Sequence, residues 1–245
     1  YMNIKSLAKI INNFMRDIKG KLFIYYFSLN KKKIFDKSRL APINNQLTAL
    51  MNKYYTDKGN FNNLHNYTKF YHALFQEICS EKLNFFEVGI GSINEQNPFN
   101  MKSTDINYVP LASLKAWEEY FYNSEIYGAD IDETLVQTTG RIKTFHVDMT
   151  KKESIISMWK KINKKMDIII DDGFHSFEAN VNFFKHSIER LNKNGYYIIE
   201  DVHRNPNNIK KFYNFFENLN INYQIIDLPH TNNVRDNCLI LIRND

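Results

Sequence analysis

Two neighbouring acids and a histidine stand close together in the stretch DIIIDDGFHSFE, residues 167–178. Three isoleucines precede Asp171 and Asp172, and His175 follows three residues after the second acid. Two adjacent carboxylates repel each other, so ionising both in one site is costly unless a positive charge lies nearby. The stretch therefore predicts either an acidic site that binds a cation, with a histidine beside it, or a turn that faces water.

The spacing to a second acidic pair favours a cation site. Asp172 lies 28 residues before Glu200 and 29 before Asp201, which is the length of one strand–helix–strand unit. Adjacent strand ends would then bring three carboxylates together, which is costly unless a cation binds them. Oxygen ligands suit a hard ion such as Mg²⁺. We predict Asp172, Glu200 and Asp201 as metal ligands and His175 as the base that takes a proton from a substrate hydroxyl.

From residue 83 onward, short apolar runs alternate with amphipathic helical patterns. The runs that predict buried strands are 84–90, 125–130, 141–147, 166–170 and 195–200, and the patterns that predict helices are 111–121, 151–162, 177–191 and 207–219. Two last runs, 221–228 and 237–243, are too close together for a helical crossover and should pair antiparallel. The pattern predicts an α/β fold, a three-layer sandwich around a seven-stranded, mostly parallel sheet with an antiparallel last strand.

An acid lies at or just after the end of each of the five predicted parallel strands. These acids are Glu87, Asp130, Asp148, the pair Asp171 and Asp172, and the pair Glu200 and Asp201. Open parallel sheets bind ligands beyond the carboxyl ends of their strands. One such acid would be unremarkable, but acids at five strand ends along a single edge predict a ligand site.

The loop after the first strand carries Gly89 and Gly91 but lacks the third glycine of a dinucleotide fingerprint, since position 94 is Asn. Glycines let the backbone turn sharply and approach a ligand closely. Glu87 before them suits a cationic or hydroxyl-rich ligand better than a diphosphate. Asp130 could accept hydrogen bonds from ribose hydroxyls, and Asp148 could accept one from an exocyclic amine.

Three motifs follow one another in the order of the predicted strands: EVGIG at 87–91, YGADID at 127–132 and HVDMT at 146–150. Together they resemble the class I S-adenosylmethionine-dependent methyltransferases, which have a Rossmann-like fold. More closely, residues 167–203 resemble the bacterial sugar O-methyltransferases of the macrolide-tailoring type, and YTDKG with HNYTKFY, upstream, resembles the N-terminal signature of that family.

The resemblance implies S-adenosylmethionine as the cofactor, S-adenosylhomocysteine as its product, and Mg²⁺ or another divalent cation. It implies methyl transfer to an oxygen of a sugar or sugar-linked acceptor. By that match His175 is the base and Asp172, Glu200 and Asp201 hold the metal. The residues expected at the cofactor are Glu87, Gly89, Gly91, Asp130, Asp148, Asp171, Lys58 and Tyr67. Asp171 could instead only cap the turn that follows it, and His175 could be a plain first residue of a helix.

Composition limits the partners. Hydrophobic residues make up 43% of the 245 residues, enough for a sizeable core, and the net charge of +5 comes from scattered lysines and arginines. We find no basic stripe interleaved with aromatic residues, so nucleic-acid binding is not expected. Cys79 and Cys238 form no CxxC pattern, and no apolar run is long enough to span a bilayer. We expect a cytoplasmic homo-oligomer that acts on a small molecule or a glycan precursor.

Residues 1–80 are predicted as a helical N-terminal region and residues 81–245 as the methyltransferase domain. Apolar residues at helical spacing predict an amphipathic helix near the start of the chain, and they are Leu7, Ile10, Ile11, Phe14 and Ile18. That helix should pack on the main domain or on a partner chain. The histidines other than His175, His65 among them, are expected on the surface or in packing roles.

The Asn-, Lys- and Ile-rich composition suggests an AT-rich bacterial genome, which makes a capsule or another surface glycan a plausible target. The methylated group would then be a sugar hydroxyl or a phosphoramidate substituent. Two alternatives stay open: a metal-independent N- or O-methyltransferase acting on a small molecule, and a non-catalytic subunit that binds the cofactor.

Overall fold

Alternating strands and helices build a mixed β-sheet with helices on both faces. The computed structural model describes residues 10–15, 17–19, 21–22, 35–60, 64–97, 100–103, 107–230 and 235–245. Its strands are β1 (Asn84–Val88), β2 (Glu125–Asp130), β3 (Thr138–Thr139), β4 (Ile142–His146), β5 (Met166–Asp171), β6 (Leu191–Ile199), β7 (Tyr223–Asp227) and β8 (Cys238–Arg243). The predicted α/β class is confirmed.

The strand order within the sheet is β3-β4-β2-β1-β5-β6-β8-β7. The five strands from β4 to β6 run parallel, and β8 lies antiparallel between β6 and β7. The predicted antiparallel pair at the end of the chain is therefore confirmed. The eighth strand, absent from the prediction, is the two-residue β3, which folds back onto β4 through a turn at Gly140 with a φ of 57°.

Six α-helices between residues 46 and 218 flank this sheet. They are α1 (Gln46–Lys53), α2 (Thr68–Phe75), α3 (Ala112–Tyr120), α4 (Lys152–Ile162), α5 (Phe177–Ser187) and α6 (Pro206–Asn218). Side-chain caps fix where several of them begin: Ser176 accepts from Ala179 N at the start of α5, and Asn205 accepts from Asn208 N at the start of α6. The four helices predicted between strands are present, and α5 ends earlier than predicted because a 3₁₀ turn, Ile188–Arg190, leads into β6.

The sheet separates two hydrophobic clusters, one on each face. The cluster under α4, α5 and α6 includes Trp159, Phe183 and Phe216. The cluster on the other face contains Trp117 of α3 together with buried side chains from before residue 80: Phe35, Leu47, Met51, Tyr67, Phe70, Tyr71 and Phe75. The described residues between 35 and 80 therefore share one core with the sheet. The division into a helical N-terminal region and a methyltransferase domain at residue 80 stays a prediction.

The described residues between 10 and 22 are helical, in line with the amphipathic pattern. Leu7 lies outside the described residues. Ile10, Ile11 and Phe14 are more than half exposed. Asp17 Oδ1 lies 3.1 Å from Nη2 of the buried Arg204, which connects this segment to the chain just after β6. Among the residues that the structure describes, no helix combines the length and the apolar character needed to cross a membrane.

Candidate active site

A cavity of about 530 Å³ opens at the carboxyl ends of the parallel strands. Eight of the predicted site residues line it: Lys58, Gly89, Gly91, Asp130, Asp148, Asp172, His175 and Asp201. Four others, Glu87, Tyr67, Asp171 and Glu200, are buried and do not line it. The cavity therefore lies at the edge of the sheet where the acidic residues predicted a ligand site.

The glycine loop after β1 adopts backbone conformations that favour glycine. Gly89 has a φ of 86° and Gly91 a φ of 80°. A Cβ atom on Gly89 would lie 1.9 Å from the carbonyl oxygen of Asp172, because the loop after β5 passes directly against it. Asp172 N donates to Val88 O at 2.9 Å. The glycine loop and the acidic loop thus form one wall of the cavity.

The acids after β2 and β4 hold the loops of the cavity in place. Asp130 accepts hydrogen bonds from Ile90 N at 2.9 Å and from Asp132 N at 3.1 Å. Asp132 also lines the cavity and accepts from Ser92 Oγ at 2.5 Å. Sequence reasoning did not single out Asp132, although the D-x-D spacing in YGADID was a usable signal. Asp148 accepts from Thr150 Oγ1 at 2.6 Å.

A buried lysine lies in the middle of the acidic residues. Lys58 Nζ donates to Asp172 Oδ2 and to Glu200 Oε2, both at 2.5 Å, and lies 3.3 Å from Glu87 Oε1. Its side chain is only 3% exposed. Burial favours the neutral amine, but the charges of Asp172, Glu200 and Glu87 outweigh it and hold the pKa of Lys58 well above its ordinary value. Lys58 therefore stays cationic.

Glu200 and Glu87 face this lysine from inside the protein. Tyr71 Oη donates to Glu200 Oε1 at 2.5 Å, so Lys58 and Tyr71 each contact one oxygen of this carboxylate. Burial raises the pKa of Glu87 to about 7, although the neighbouring Lys58 ammonium opposes the shift. Neither carboxylate reaches the cavity wall.

Asp172, His175 and Asp201 form a compact group on the cavity side. One donor atom from each of the three lies within 4.8 Å of the others. His175 Nε2 is 3.7 Å from Asp201 Oδ2. His175 and Asp201 have φ angles of 50° and 53°, in the left-handed region that side chains rarely adopt. Such strain is typical of functional sites.

Asp201 is held by two aromatic side chains from the N-terminal part of the chain. The Tyr67 hydroxyl donates to Asp201 Oδ1, and His65 Nδ1 lies 3.6 Å from the same oxygen. His65 is 6% exposed and its ring packs on Tyr67 with centroids 4.6 Å apart. The surface or packing role expected for His65 is therefore incomplete, because its ring also contacts a predicted metal ligand.

Asp171 turns away from the cavity. It is fully buried, Tyr197 Oη lies 3.5 Å from its Oδ2, and Gly173 N donates to its Oδ1 at 3.4 Å. Burial raises its pKa to about 6. The structure thus does not bring Asp171 to the cofactor position predicted for it, and its bond to Gly173 fits the alternative role as a cap of the following turn.

Comparisons with known proteins agree with the motifs. No family model matches the chain. The chain is 28% identical over 142 residues to the 8-demethyl-8-alpha-L-rhamnosyl tetracenomycin-C 2'-O-methyltransferase of Streptomyces olivaceus, covering 57% of this chain and 34% of that protein. It is 28% identical over 156 residues to the demethylmacrocin O-methyltransferase of Streptomyces fradiae, covering 64% and 36%. The chain thus spans about a third of the length of these curated relatives.

Among solved structures, the chain is similar to the MycE methyltransferase of the mycinamycin pathway in complex with Mg and SAH, with a TM-score of 0.54 and 27% identity. The match covers 64% of this chain and 37% of that one. This chain has the class I S-adenosylmethionine-dependent methyltransferase fold. The predicted resemblance to the sugar O-methyltransferases of the macrolide-tailoring type is confirmed by both comparisons.

The cavity of this methyltransferase fold suits the cofactor. Its volume is within the range of small-molecule sites. The glycine loop, the acids after β2 and β4 and the acidic group after β5 all face the same space. Asp130 and Asp148 therefore lie where the sequence placed them relative to the glycines.

A divalent cation fits between Asp172 and Asp201, because one carboxylate oxygen of each lies within 4.8 Å of the other and oxygen ligands suit a hard ion. His175 lies beside these carboxylates. The role of Glu200 as the third metal ligand stays a prediction. Glu200 Oε2 lies 2.5 Å from Lys58 Nζ, and Glu200 does not line the cavity. The structure thus brings Asp172 and Asp201 together but directs Glu200 to the lysine.

Proposed function

We propose that this chain transfers a methyl group from S-adenosylmethionine to an oxygen of a sugar or sugar-linked acceptor, with the assistance of a divalent cation such as Mg²⁺. One observation carries the proposal. A single cavity contains both the glycine loop of a methyltransferase fold and the Asp172–His175–Asp201 group. The cofactor and a base would therefore face each other across the same space.

His175 is the proton acceptor in this proposal. Its ring lines the cavity, and Asp201 Oδ2, 3.7 Å from Nε2, can stabilise the imidazolium that forms when His175 takes the hydroxyl proton. The acceptor oxygen then bonds to the methyl carbon while the carbon–sulfur bond breaks. The electron pair of that bond stays on sulfur, and S-adenosylhomocysteine leaves. A divalent cation at Asp172 and Asp201 would supply charge that lowers the pKa of the acceptor hydroxyl.

The acceptor class rests on the relatives. Two relatives are named for O-methylation at numbered positions, one of 8-demethyl-8-alpha-L-rhamnosyl tetracenomycin-C and the other of mycinamicin VI. We extend this to a glycan precursor, either a sugar hydroxyl or a phosphoramidate substituent of a bacterial surface polysaccharide. A cytoplasmic location and a homo-oligomeric state belong to the same proposal.

The test begins with the cofactor and the base. Isothermal titration should show that the wild-type chain and the His175→Ala variant bind S-adenosylhomocysteine alike, since the histidine is assigned to the acceptor side. Against a panel of glycosylated acceptors, the variant should lose more than about a hundredfold in turnover. His186→Ala, on α5, is the matched control and should keep the wild-type rate. Wild-type turnover in the His175→Ala variant would refute the assignment of the base.

One observation favours a metal-independent methyltransferase as the second candidate. Lys58 already balances part of the acidic charge from inside the protein. Treatment with EDTA distinguishes the two candidates. In a divalent-assisted enzyme, turnover should fall at least about tenfold on chelation and return when Mg²⁺ is added in excess. Unchanged turnover after chelation would support the metal-independent reaction.

A further inference from the structure

One acidic residue that the proposed reaction does not use, Asp57, also lines the cavity. It lies in a turn that is held firmly in place. Thr56 Oγ1, on one side of it, accepts a hydrogen bond from Lys58 N at 3.1 Å. On the other side, a Cβ atom on Gly59 would lie 2.8 Å from Cβ of Met51 on α1. The turn therefore packs tightly on α1, and the fold fixes the position of Asp57.

The Asp57 carboxylate is placed to receive a ligand. Its side chain is 24% exposed, and its Oδ2 lies 3.8 Å from His65 Nε2, which is too far for a hydrogen bond. The neighbouring Lys58 ammonium donates its hydrogen bonds to other carboxylates. A cationic hydrogen-bond donor that enters the cavity would therefore find an acceptor at Asp57.

A tyrosine connects Asp57 to the glycine loop. Tyr108, from the loop between β1 and α3, lines the cavity, and its hydroxyl donates to Gly91 O at 3.4 Å. A Cβ atom on Gly91 would lie 1.6 Å from this hydroxyl, so the tyrosine packs directly on the glycine. Burial raises the pKa of Tyr108, and the charges of Asp57 and Glu87 raise it further. Asp57 therefore lies close to the carboxyl end of β1, on the same side as Tyr108.

The cofactor has two ends of different chemistry. Its adenosine end is expected at Asp130 and Asp148, which follow β2 and β4. Its amino-acid end carries an ammonium and a carboxylate group. Since β1 lies next to β2 on the side away from β4, the amino-acid end would extend across the glycine loop, where Asp57 and Tyr108 meet. An ammonium group there needs oxygen acceptors, and a carboxylate binds it most strongly.

We infer that Asp57 binds the α-ammonium group of S-adenosylmethionine and of its product S-adenosylhomocysteine, in a subsite that Tyr108 and the glycine loop complete. This inference rests on the cofactor of the proposed function. It makes Asp57 the residue that selects the complete cofactor over adenosine thioethers that lack the amino group. Asp57 lies within the YTDKG stretch, but only Lys58 of that stretch was predicted at the cofactor.

Isothermal titration of the full chain with two ligands tests the inference. The first ligand is S-adenosylhomocysteine, and the second is its analogue in which hydrogen replaces the α-amino group. Asp57→Asn should lower the affinity for S-adenosylhomocysteine more than about tenfold, because it removes the charge that pairs with the ammonium. The same variant should not lower the affinity for the deaminated analogue. The two changes, in the protein and in the ligand, form a thermodynamic cycle that isolates this one contact.

Glu77→Gln is the matched control, because Glu77 is an exposed acid whose loss changes the net charge equally. It should bind both ligands with wild-type affinity. Circular dichroism checks the fold of each variant. If Asp57→Asn does not fold, the wild-type chain decides alone: it should bind S-adenosylhomocysteine at least about tenfold more tightly than the deaminated analogue. Equal affinities would then overturn the inference.

Two further results would overturn the inference and leave the proposed function standing. One is a loss of affinity in Asp57→Asn that is equal for both ligands, which would mean that Asp57 acts through the shape of the site. The other is an unchanged affinity for S-adenosylhomocysteine in Asp57→Asn. A wild-type chain that binds neither ligand would refute the inference together with the cofactor of the proposed function.

Discussion

His175 and Asp201 both line the cavity and both lie on left-handed backbone, a conformation that six other non-glycine residues of the described chain also adopt. Each such residue costs about 1–3 kcal/mol and persists only where its surroundings fix it. Tyr67 and His65 provide that fixation for Asp201. Within the Asp172–His175–Asp201 group, left-handed backbone therefore occurs at two residues that the proposed reaction uses.

Glu87 should make the stability of the protein depend on pH. Its pKa is about 7 in the folded chain against an ordinary value of 4.5, so the folded state binds the proton more tightly. Stability from this group is therefore present at low pH and is lost as pH rises between these two values, by about 3 kcal/mol in total. Urea unfolding of the wild type and Glu87→Gln between pH 4 and pH 8 measures this difference. A difference in unfolding free energy that does not change with pH would contradict the prediction.

Gly89→Ala should damage the cofactor site. The new Cβ would lie 1.9 Å from Asp172 O, a backbone atom, and alanine resists a φ of 86°. We expect the affinity for S-adenosylhomocysteine, measured by titration calorimetry, to fall more than about tenfold. Gly140→Ala is the control, because its φ is also positive while its Cβ would meet only the Glu118 side chain. Equal loss of cofactor affinity in both variants would contradict the prediction.

The sequence predicted the cavity side of the site well, because acids at parallel strand ends must converge. It placed Asp172, His175 and Asp201 correctly at one edge. It could not show that Lys58 contacts the Glu200 carboxylate, because the two residues lie 142 positions apart in the chain. The spacing between strands predicts which side chains lie near each other. It does not predict a contact with a residue that is distant in the chain.

At the scale of elements, the buried strands and the helices between them were predictable because their apolar patterns are long. The helix α1 and the strand β3 were not. The eight residues of α1 make little more than two turns, and its start depends on a cap from Asn45. The two residues of β3 are exposed and show no alternation. Both elements depend on tertiary contacts more than on local sequence.

A buried ion pair joins the chain after β6 to the end of β7. Arg204 Nε donates to Asp227 Oδ1 at 2.7 Å, and both residues are 4% exposed. Asp227→Asn should destabilise the fold by about 3 kcal/mol, since it leaves a buried guanidinium without its nearest charge. Chemical denaturation measures this cost. The exposed Asp245, paired with Arg243, offers the control Asp245→Asn, which should cost less than about 1 kcal/mol. Similar costs for the two variants would contradict the prediction.

At the scale of the whole molecule, the segment before the sheet serves both the core and the site. It supplies seven large buried side chains to the cluster around Trp117. It also supplies Lys58 and Tyr67 to the acidic group. Without this segment, the face of the sheet that carries Trp117 would therefore lose part of its cover, and the acidic group would lose Lys58 and Tyr67.

This arrangement predicts where the chain can be shortened. Residue 35 is the first described position in the main core, and Phe35 N donates to Ile225 O of β7 at 3.1 Å. A chain of residues 35–245 should keep a cooperative thermal transition and bind S-adenosylhomocysteine. A chain of residues 81–245 loses seven buried side chains, on the order of 10 kcal/mol of apolar burial. That is comparable to the whole stability of a typical domain, so we expect no cooperative unfolding.

Circular dichroism melts and cofactor titration of both shortened chains check this expectation. A cooperative transition in residues 81–245 would contradict it, and would mean that the sheet and its later helices form an independent core. Loss of folding in residues 35–245 would instead place an essential part of the core before residue 35. We expect residues 35–245 to fold and residues 81–245 not to fold. The turn that carries Lys58 would then be needed for folding as well as for the site, because the helices on either side of it, α1 and α2, contribute to the core.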